Sequence, residues 1–412
     1  MTTRTLVVAG HGMVGHRLVE EMLTHDRHGR WRVVVLGEEP RAAYDRVALS
    51  SLLDGATPDD LALAGPDVLG DGRLRLSPGT RVTGVDRRAR TVTCDDGTET
   101  GYDALVLATG SRPFVPPVPG HDLPGCFVYR TVEDVAAIRA AAVPGREAVV
   151  VGGGLLGLEA ANGLRLLGMR PRVVEMAPWL MAQQIDEGGG RVLAGAVERL
   201  GVGVHCSSAL HAVGAGPDGR ADRVELADGT VLDAALVVFA AGVRPRDELA
   251  APLGLERGER GGFLVDGWCR TADEYIWAIG ECAAVEGRCH GLVVPGLRMA
   301  ETVARQLVGE GGQPFAGADG SAKLKLLGVE VAGFGDAHAR APGAIEYVRE
   351  DRRAGTYAKV VLAADGRTLL GGVLAGDTRA YPVLRGLTGR ELTASPDELL
   401  AGTTGEGPPR AR

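Results

Sequence analysis

The chain has 412 residues, 62 of them glycine, and its 53 acidic against 45 basic residues give a formal net charge of −8. That length is enough for two or three domains with full cores, and the acidic balance argues against nucleic acid or an anionic membrane as the main partner. No apolar run reaches the roughly 18 residues of a membrane helix. The first strand pattern begins too close to Met1 to leave room for a signal peptide, so the cytoplasm is the expected location.

In chain order, Val7-Val8-Ala9 runs into Gly10-His11-Gly12-Met13-Val14-Gly15, a G-x-G-x-x-G turn. The first glycine permits the tight turn, the second lets backbone approach a pyrophosphate, and the third lets the helix pack on the strand. Val14, Leu18 and Met22, with Val19 and Leu23, then mark one helix face. The strand pattern Trp31–Leu36 ends at Gly37-Glu38-Glu39, where a carboxylate can accept hydrogen bonds from a ribose diol. Arg81-Val82-Thr83-Gly84-Val85 and Thr91–Cys94 read as paired strands before an Asp96-Gly97 turn, and Ala104–Leu107 as a buried strand ending in Ala108-Thr109-Gly110. Pro113 to Pro119 reads as a crossing between domains.

The same order then repeats. Val149-Val150-Val151 enters Gly152-Gly153-Gly154-Leu155-Leu156-Gly157, Arg172–Val174 ends at Glu175, and Leu236–Phe239 ends in Ala240-Ala241-Gly242. After this the chain returns to its first domain. Tyr275–Ala278 is a strand leading to Ile279-Gly280-Glu281, Pro295 and Gly296 start a helix that runs to Val308, and Lys323–Val331 and Lys359–Leu362 alternate like a small sheet. The polar tail Gly402–Arg412 is expected to fray. The predicted fold class is α/β: two Rossmann-like dinucleotide-binding domains plus a small α+β C-terminal domain. The expected boundaries are 1–118, 119–243, 244–320 and 321–412.

The six cysteines form no C-x-x-C or C-x-x-x-x-C pair, and Cys282 and Cys289 lack a second pair to complete a metal or iron–sulfur set. No metal site is expected from the histidines; His25 and His28 read as solvated. Met169, Met176 and Met181 read as core filler.

With both fingerprints, Ala108-Thr109-Gly110 and Ala278-Ile279-Gly280-Glu281 in order, the chain resembles the two-dinucleotide flavoprotein reductases, the rubredoxin and putidaredoxin reductase-like family. It resembles more narrowly the N-terminal FAD/NADH half of the assimilatory NADH-dependent nitrite reductase large subunit. Gly37 to Ser51, Leu180 to Asp186, Val243-Arg244-Pro245-Arg246-Asp247 and Ser321 to Val329 carry that match. The resemblance implies FAD on Gly10, Gly12, Met13, Val14 and Gly15. It puts the adenosine ribose on Glu38, with Glu39 second, and further FAD contacts at Arg46, Ser51, Val82, Ala108, Thr109, Gly110, Arg130 and Glu281. The helix at Pro295 and Gly296 would face the flavin. It implies NADH on Gly152, Gly154, Leu155, Leu156, Gly157, Glu175 and Gly242, with Glu159 near the nicotinamide. Glu281 stands where the wider family has Asp, and Ser51 where the rubredoxin-reductase branch often has Lys.

The expectation is an NADH-dependent FAD oxidoreductase passing electrons to a separate acceptor protein: an iron–sulfur or haem protein, or a nitrite or nitrate reductase subunit. The chain carries no cysteine-rich segment for sirohaem and an iron–sulfur cluster, so the resemblance supports the electron-input half. The alternatives are an oxygen-reducing NADH oxidase or diaphorase, and a non-catalytic flavin-based redox sensor. Leu49-Ser50-Ser51-Leu52-Leu53 has no cysteine beside the expected flavin, which disfavours a thiol mechanism. For the C-terminal region the resemblance implies a homodimer interface.

Overall fold

The computed structural model describes residues 3–317, 321–326, 329–392 and 394–401. The expected frayed tail Gly402–Arg412, and Leu327-Gly328 within the nitrite-reductase match, lie outside the described residues. The chain forms two compact units, Met1–Arg112 with Val243–Ala318, and Pro113–Gly242 with Asp319–Arg412.

In chain order the main elements are β1 (Arg4–Ala9), α1 (Met13–His25), β2 (Trp31–Gly37), β3 (Leu74–Pro78) and β4 (Ala104–Leu107). Then come β5 (Cys126–Val128), α2 (Val132–Ala141), β6 (Glu147–Val151), α3 (Leu155–Leu166), β7 (Arg170–Val174), α4 (Glu187–Arg199), β8 (Gly203–His205) and β9 (Leu236–Phe239). The chain returns through β10 (Ile276–Ala278) and α5 (Val293–Val308). It ends with β11 (Ala322–Leu326), β12 (Val329–Gly335), β13 (Ile345–Asp351), β14 (Thr356–Leu362) and β15 (Leu369–Ala375).

The first unit holds a five-stranded sheet in the order β10-β4-β1-β2-β3, parallel throughout. Its strands are near-continuous apolar runs because helices and loops cover both faces; Leu6, Val7, Val8, Leu105, Val106 and Leu107 are all buried. The second unit repeats the arrangement as β8-β7-β6-β9-β5, again parallel. The first four strands correspond one for one. The fifth differs in origin: β10 begins 169 positions after β4 ends in the first unit, whereas β5 precedes its whole sheet in the second. The second unit also contains the all-antiparallel sheet β11-β12-β15-β14-β13 with its own apolar core around Phe334, Val360 and Leu374.

The stretch Lys323–Val331, expected to alternate like a small sheet, contributes two antiparallel strands, β11 and β12, with Leu324 opposite Val331. One expectation is corrected here: the helix expected from Pro295 starts two residues earlier, at Val293. Proline lacks an N–H, which the first helical turn leaves unbonded in any case, so it is tolerated inside that turn.

Within the second unit α4 lies hard against the antiparallel sheet. A Cβ on Gly188 would stand 2.3 Å from the Tyr357 ring and one on Gly189 2.7 Å from Val373, so only glycine permits this approach. The buried Lys359 ammonium lies 2.8 Å from Asp186 and 2.9 Å from Glu346, and the Tyr357 hydroxyl donates to Asp186 at 2.6 Å. Burial pulls the lysine pKa down, but these bonds outweigh it and the net direction is upward.

Candidate dinucleotide sites

Both glycine turns share one geometry. Gly10 and Gly152 have φ of +113° and +116°, in the region that favours glycine. A Cβ on them would stand 2.2 Å from the Ala108 carbonyl oxygen and 2.4 Å from that of Ala240. A Cβ on Gly15 would meet the Gly10 carbonyl at 2.4 Å, and one on Gly157 the Gly152 carbonyl at 1.9 Å. The middle glycines are different. Around Gly12 the nearest atom is Arg46 Nε at 4.0 Å, and around Gly154 nothing lies within 4 Å. Outer glycines are therefore needed by the fold, while the middle ones face space that a ligand can fill.

Electrostatics points the same way. Among the described helices of ten or more residues, α2 and α4 are capped by Thr131 and Asp186. α1, α3 and α5 have no side-chain cap and no acid in the first turn. Their N-terminal N–H groups stay available, and Met13, Val14, Leu155 and Leu156 lie in those first turns, so an anion is favoured there.

In the first unit each acid after β2 has a basic partner. Glu39 accepts from Tyr44 Oη at 2.6 Å and is ion-paired with Arg46, whose guanidinium also donates to Tyr44 Oη at 2.9 Å. Glu38 is ion-paired with Arg246. Ser51 donates to the Ala48 carbonyl at 2.7 Å, and Val82 packs half-buried on the core. His11, which no motif reading singled out, accepts from the Ala43 N–H at Nδ1 (3.2 Å); burial, helped by His16, holds its pKa down to about 4, so it is neutral near pH 7.

Beyond β4, Gly110 has φ +68° and the Thr109 hydroxyl donates to the Arg246 carbonyl at 2.6 Å. Glu281, in the 3-10 turn after β10, accepts from Ser111 Oγ at 2.8 Å. Ser111 was also missed from sequence, although it directly follows Thr109-Gly110. Gly296 brings α5 down onto this turn: a Cβ there would stand 2.5 Å from Val14 and 3.2 Å from Gly280. Arg130 belongs to the second unit, just before α2.

In the second unit the Glu175 carboxylate accepts from the Gly153 N–H at 2.6 Å and from the Ala177 N–H at 2.7 Å, fixing it to the glycine turn. Arg170 and Arg172 do not sit at this end. Both face Glu147, at 3.2 and 3.3 Å, toward the start of β6. Glu159 lies one turn into α3, and burial pushes its carboxyl up to about 7. Gly242, φ +105°, closes the unit.

Two further readings change. Met169 and Met181 are buried, but Met176 is 77% exposed, because it follows the strand end at Glu175 and enters a turn. His25 is not solvated but half-buried between Glu21 (3.2 Å) and Glu310 (2.8 Å). All six cysteines are free thiols, and burial raises every one of them, so none is poised as a thiolate. Among the described residues no helix is long and apolar enough to cross a membrane.

The family model described as pyridine nucleotide-disulphide oxidoreductase matches residues 4–306. The chain belongs to that family. A second model, the rubredoxin NAD+ reductase C-terminal domain, matches residues 321–391. The chain is 48% identical over 402 residues to the nitrite reductase [NAD(P)H] large subunit of Klebsiella oxytoca, covering 97% of this chain and 42% of that protein. It is 33% identical over 311 residues to the rubredoxin-NAD(+) reductase of Alcanivorax borkumensis, covering 74% of this chain and 79% of that one. A crystal structure of a ferredoxin reductase from Rhodopseudomonas palustris superposes with a TM-score of 0.81 at 27% identity, covering 91% of each chain. The chain spans about half the length of the nitrite reductase relatives it matches. Membership makes it an NAD(P)H oxidoreductase, with FAD and NADH the cofactors that accompany this fold.

The two classes of glycine can be separated experimentally. Gly12→Val, pointing into open space, should leave the melting of the deflavinated protein unchanged yet abolish FAD binding. Gly15→Ala should destabilise that protein by about 1–3 kcal/mol. A Gly12→Val protein that purifies with full flavin would contradict the assignment.

Proposed function

We propose that this protein is an NADH-dependent FAD reductase, FAD on the first turn and NADH on the second, that delivers electrons to a separate one-electron acceptor protein. The observation that carries this reading is the repeated turn, with open space at Gly12 and at Gly154 and uncapped helix ends behind both. Bound FAD supplies a ring that accepts a hydride and can release two electrons singly. The chain's own residues bind and orient. Gly10, Gly12 and Gly15 with α1 take one pyrophosphate, and Gly152, Gly154 and Gly157 with α3 take the other. Glu38 takes the adenosine ribose. Thr109, Gly110 and Glu281 hold the flavin end, where the uncapped α5 terminus favours negative charge. Arg46, Ser51 and Val82 are proposed as further FAD contacts.

Glu175 is proposed to accept from the nicotinamide dinucleotide's ribose. Two backbone N–H groups fix it, so it cannot swing aside for a 2′-phosphate, and Arg170 and Arg172 are engaged with Glu147 at the opposite strand end. NADH is therefore preferred over NADPH. The acceptor class is supported by the names of relatives: a rubredoxin-NAD(+) reductase and, from Bacillus subtilis, an assimilatory nitrate reductase electron transfer subunit, 36% identical over 382 residues. An iron–sulfur carrier or a nitrite- or nitrate-reducing partner fits best. The raised thiols support hydride transfer without a cysteine.

Anaerobic stopped-flow reduction tests the reading. NADH should bleach the flavin with a kcat/KM at least about tenfold above NADPH, before and after alkylation of accessible thiols, and nitrite alone should not restore the oxidised spectrum. Equal rates for the two nucleotides, or rapid reoxidation by nitrite, would overturn it.

Glu159 adds a pH signature. Below about 7 it is protonated; above, its carboxylate would stabilise positive charge growing on the nicotinamide as hydride leaves. Reduction should therefore accelerate as pH rises through 7, and Glu159→Gln should stay at the slow, low-pH rate throughout. Because the folded pKa is raised, ionisation of Glu159 costs stability as pH rises from the unfolded value to about 7. Glu159→Gln should melt higher than the parent at pH 8.

A further inference from the structure

The segment Val243-Arg244-Pro245-Arg246-Asp247, which follows Gly242, is fixed from several sides. The Arg246 N–H donates to the Gly110 carbonyl at 2.9 Å, and its own carbonyl accepts from Thr109 Oγ at 2.6 Å. The next residue is fixed too: the buried Asp247 carboxylate accepts from the Gly262 N–H at 2.6 Å and lies 3.6 Å from Arg257. The Arg246 side chain thus leaves from an anchored backbone. Its guanidinium pairs with Glu38 just past β2, whereas Thr109 and Gly110 follow β4. In the sheet β1 lies between β4 and β2 and runs into Gly10. Arg246 therefore reaches across the strand end that carries the first glycine turn.

We propose that Arg246 is a positioning residue for FAD, holding the Glu38 carboxylate for the adenosine ribose and coupling that end of the site to Thr109 and Gly110. The proposal rests on the assignment of FAD to the first turn.

Glu38 is a long, partly exposed side chain (41%) and would lose rotamer freedom on binding a ribose. A guanidinium fork on a fixed backbone removes that freedom before the ligand arrives. Arg246 bonds one carboxylate oxygen, Oε2, leaving Oε1 for a hydroxyl. Glu39 is instead held in a closed triangle with Tyr44 and Arg46, whose side chains also bond each other.

The test compares deflavinated parent protein with Arg246→Ala, Arg246→Lys, Glu38→Ala and the Arg246→Ala/Glu38→Ala double variant. FAD affinity is read by quenching of flavin fluorescence, and ADP is used as a competitor that reports the adenosine end alone. Arg246→Ala should weaken FAD and ADP by a similar factor, about tenfold, while the visible spectrum of bound flavin stays the same. Arg246→Lys should recover part of the loss. The double variant should bind no more weakly than Glu38→Ala, because one residue acts through the other. Unchanged affinity in Arg246→Ala, losses that multiply in the double variant, or a loss for FAD without one for ADP would each overturn the proposal. Should Arg246→Ala fail to fold, Arg246→Gln takes its place in the same cycle. A parent protein that binds neither FAD nor ADP would instead refute the first-turn assignment, and the proposal with it.

Discussion

The contact on which both sites depend is a helix turn pressed against a carbonyl oxygen. Gly15 packs on the Gly10 carbonyl and Gly157 on the Gly152 carbonyl, at separations no side chain could occupy. This close approach sets each helix directly behind the end of its first strand and points its free N–H groups over the sheet edge. The strand-end acids, the turns after β4 and β9, and α5 are then arranged around that edge. Remove the approach and the helix start must shift, carrying with it the N–H groups proposed to meet a phosphate.

Around this edge the first unit brings its charged groups together in pairs: Glu38 with Arg246, Glu39 with Arg46, and Glu281 with the Ser111 hydroxyl. Such pairing restrains long side chains before binding. The thiols contribute no comparable group, because burial raises all six. Although the family takes its name from disulphide chemistry, the groups assembled here suit binding, orientation and charge stabilisation.

Much of this was legible in sequence. Parallel strands buried on both faces are unbroken apolar runs, so β1, β2, β4, β6, β7 and β9 could be read directly, and the glycine spacing located both turns. The rest depends on contacts between distant residues. Cys126–Val128 is too short and too half-buried to announce β5, which is a strand only because β9 pairs with it. Ser111 and Glu281 are 170 residues apart, and Arg246 and Glu38 are 208 apart. No local pattern predicts such partners. The early start of α5 was hidden by Pro295, which resembles a helix boundary but is tolerated within a first turn.

The central claim is that the two like turns serve different cofactors, and a substitution at the second turn tests it most directly. A Cβ at Gly154 meets nothing within 4 Å, so Gly154→Val should fold. Its flavin content and anaerobic reduction should be measured with NADH and with dithionite. The account predicts full FAD occupancy, bleaching by dithionite, and none by NADH. Loss of FAD from this variant, or undiminished reduction by NADH, would contradict it.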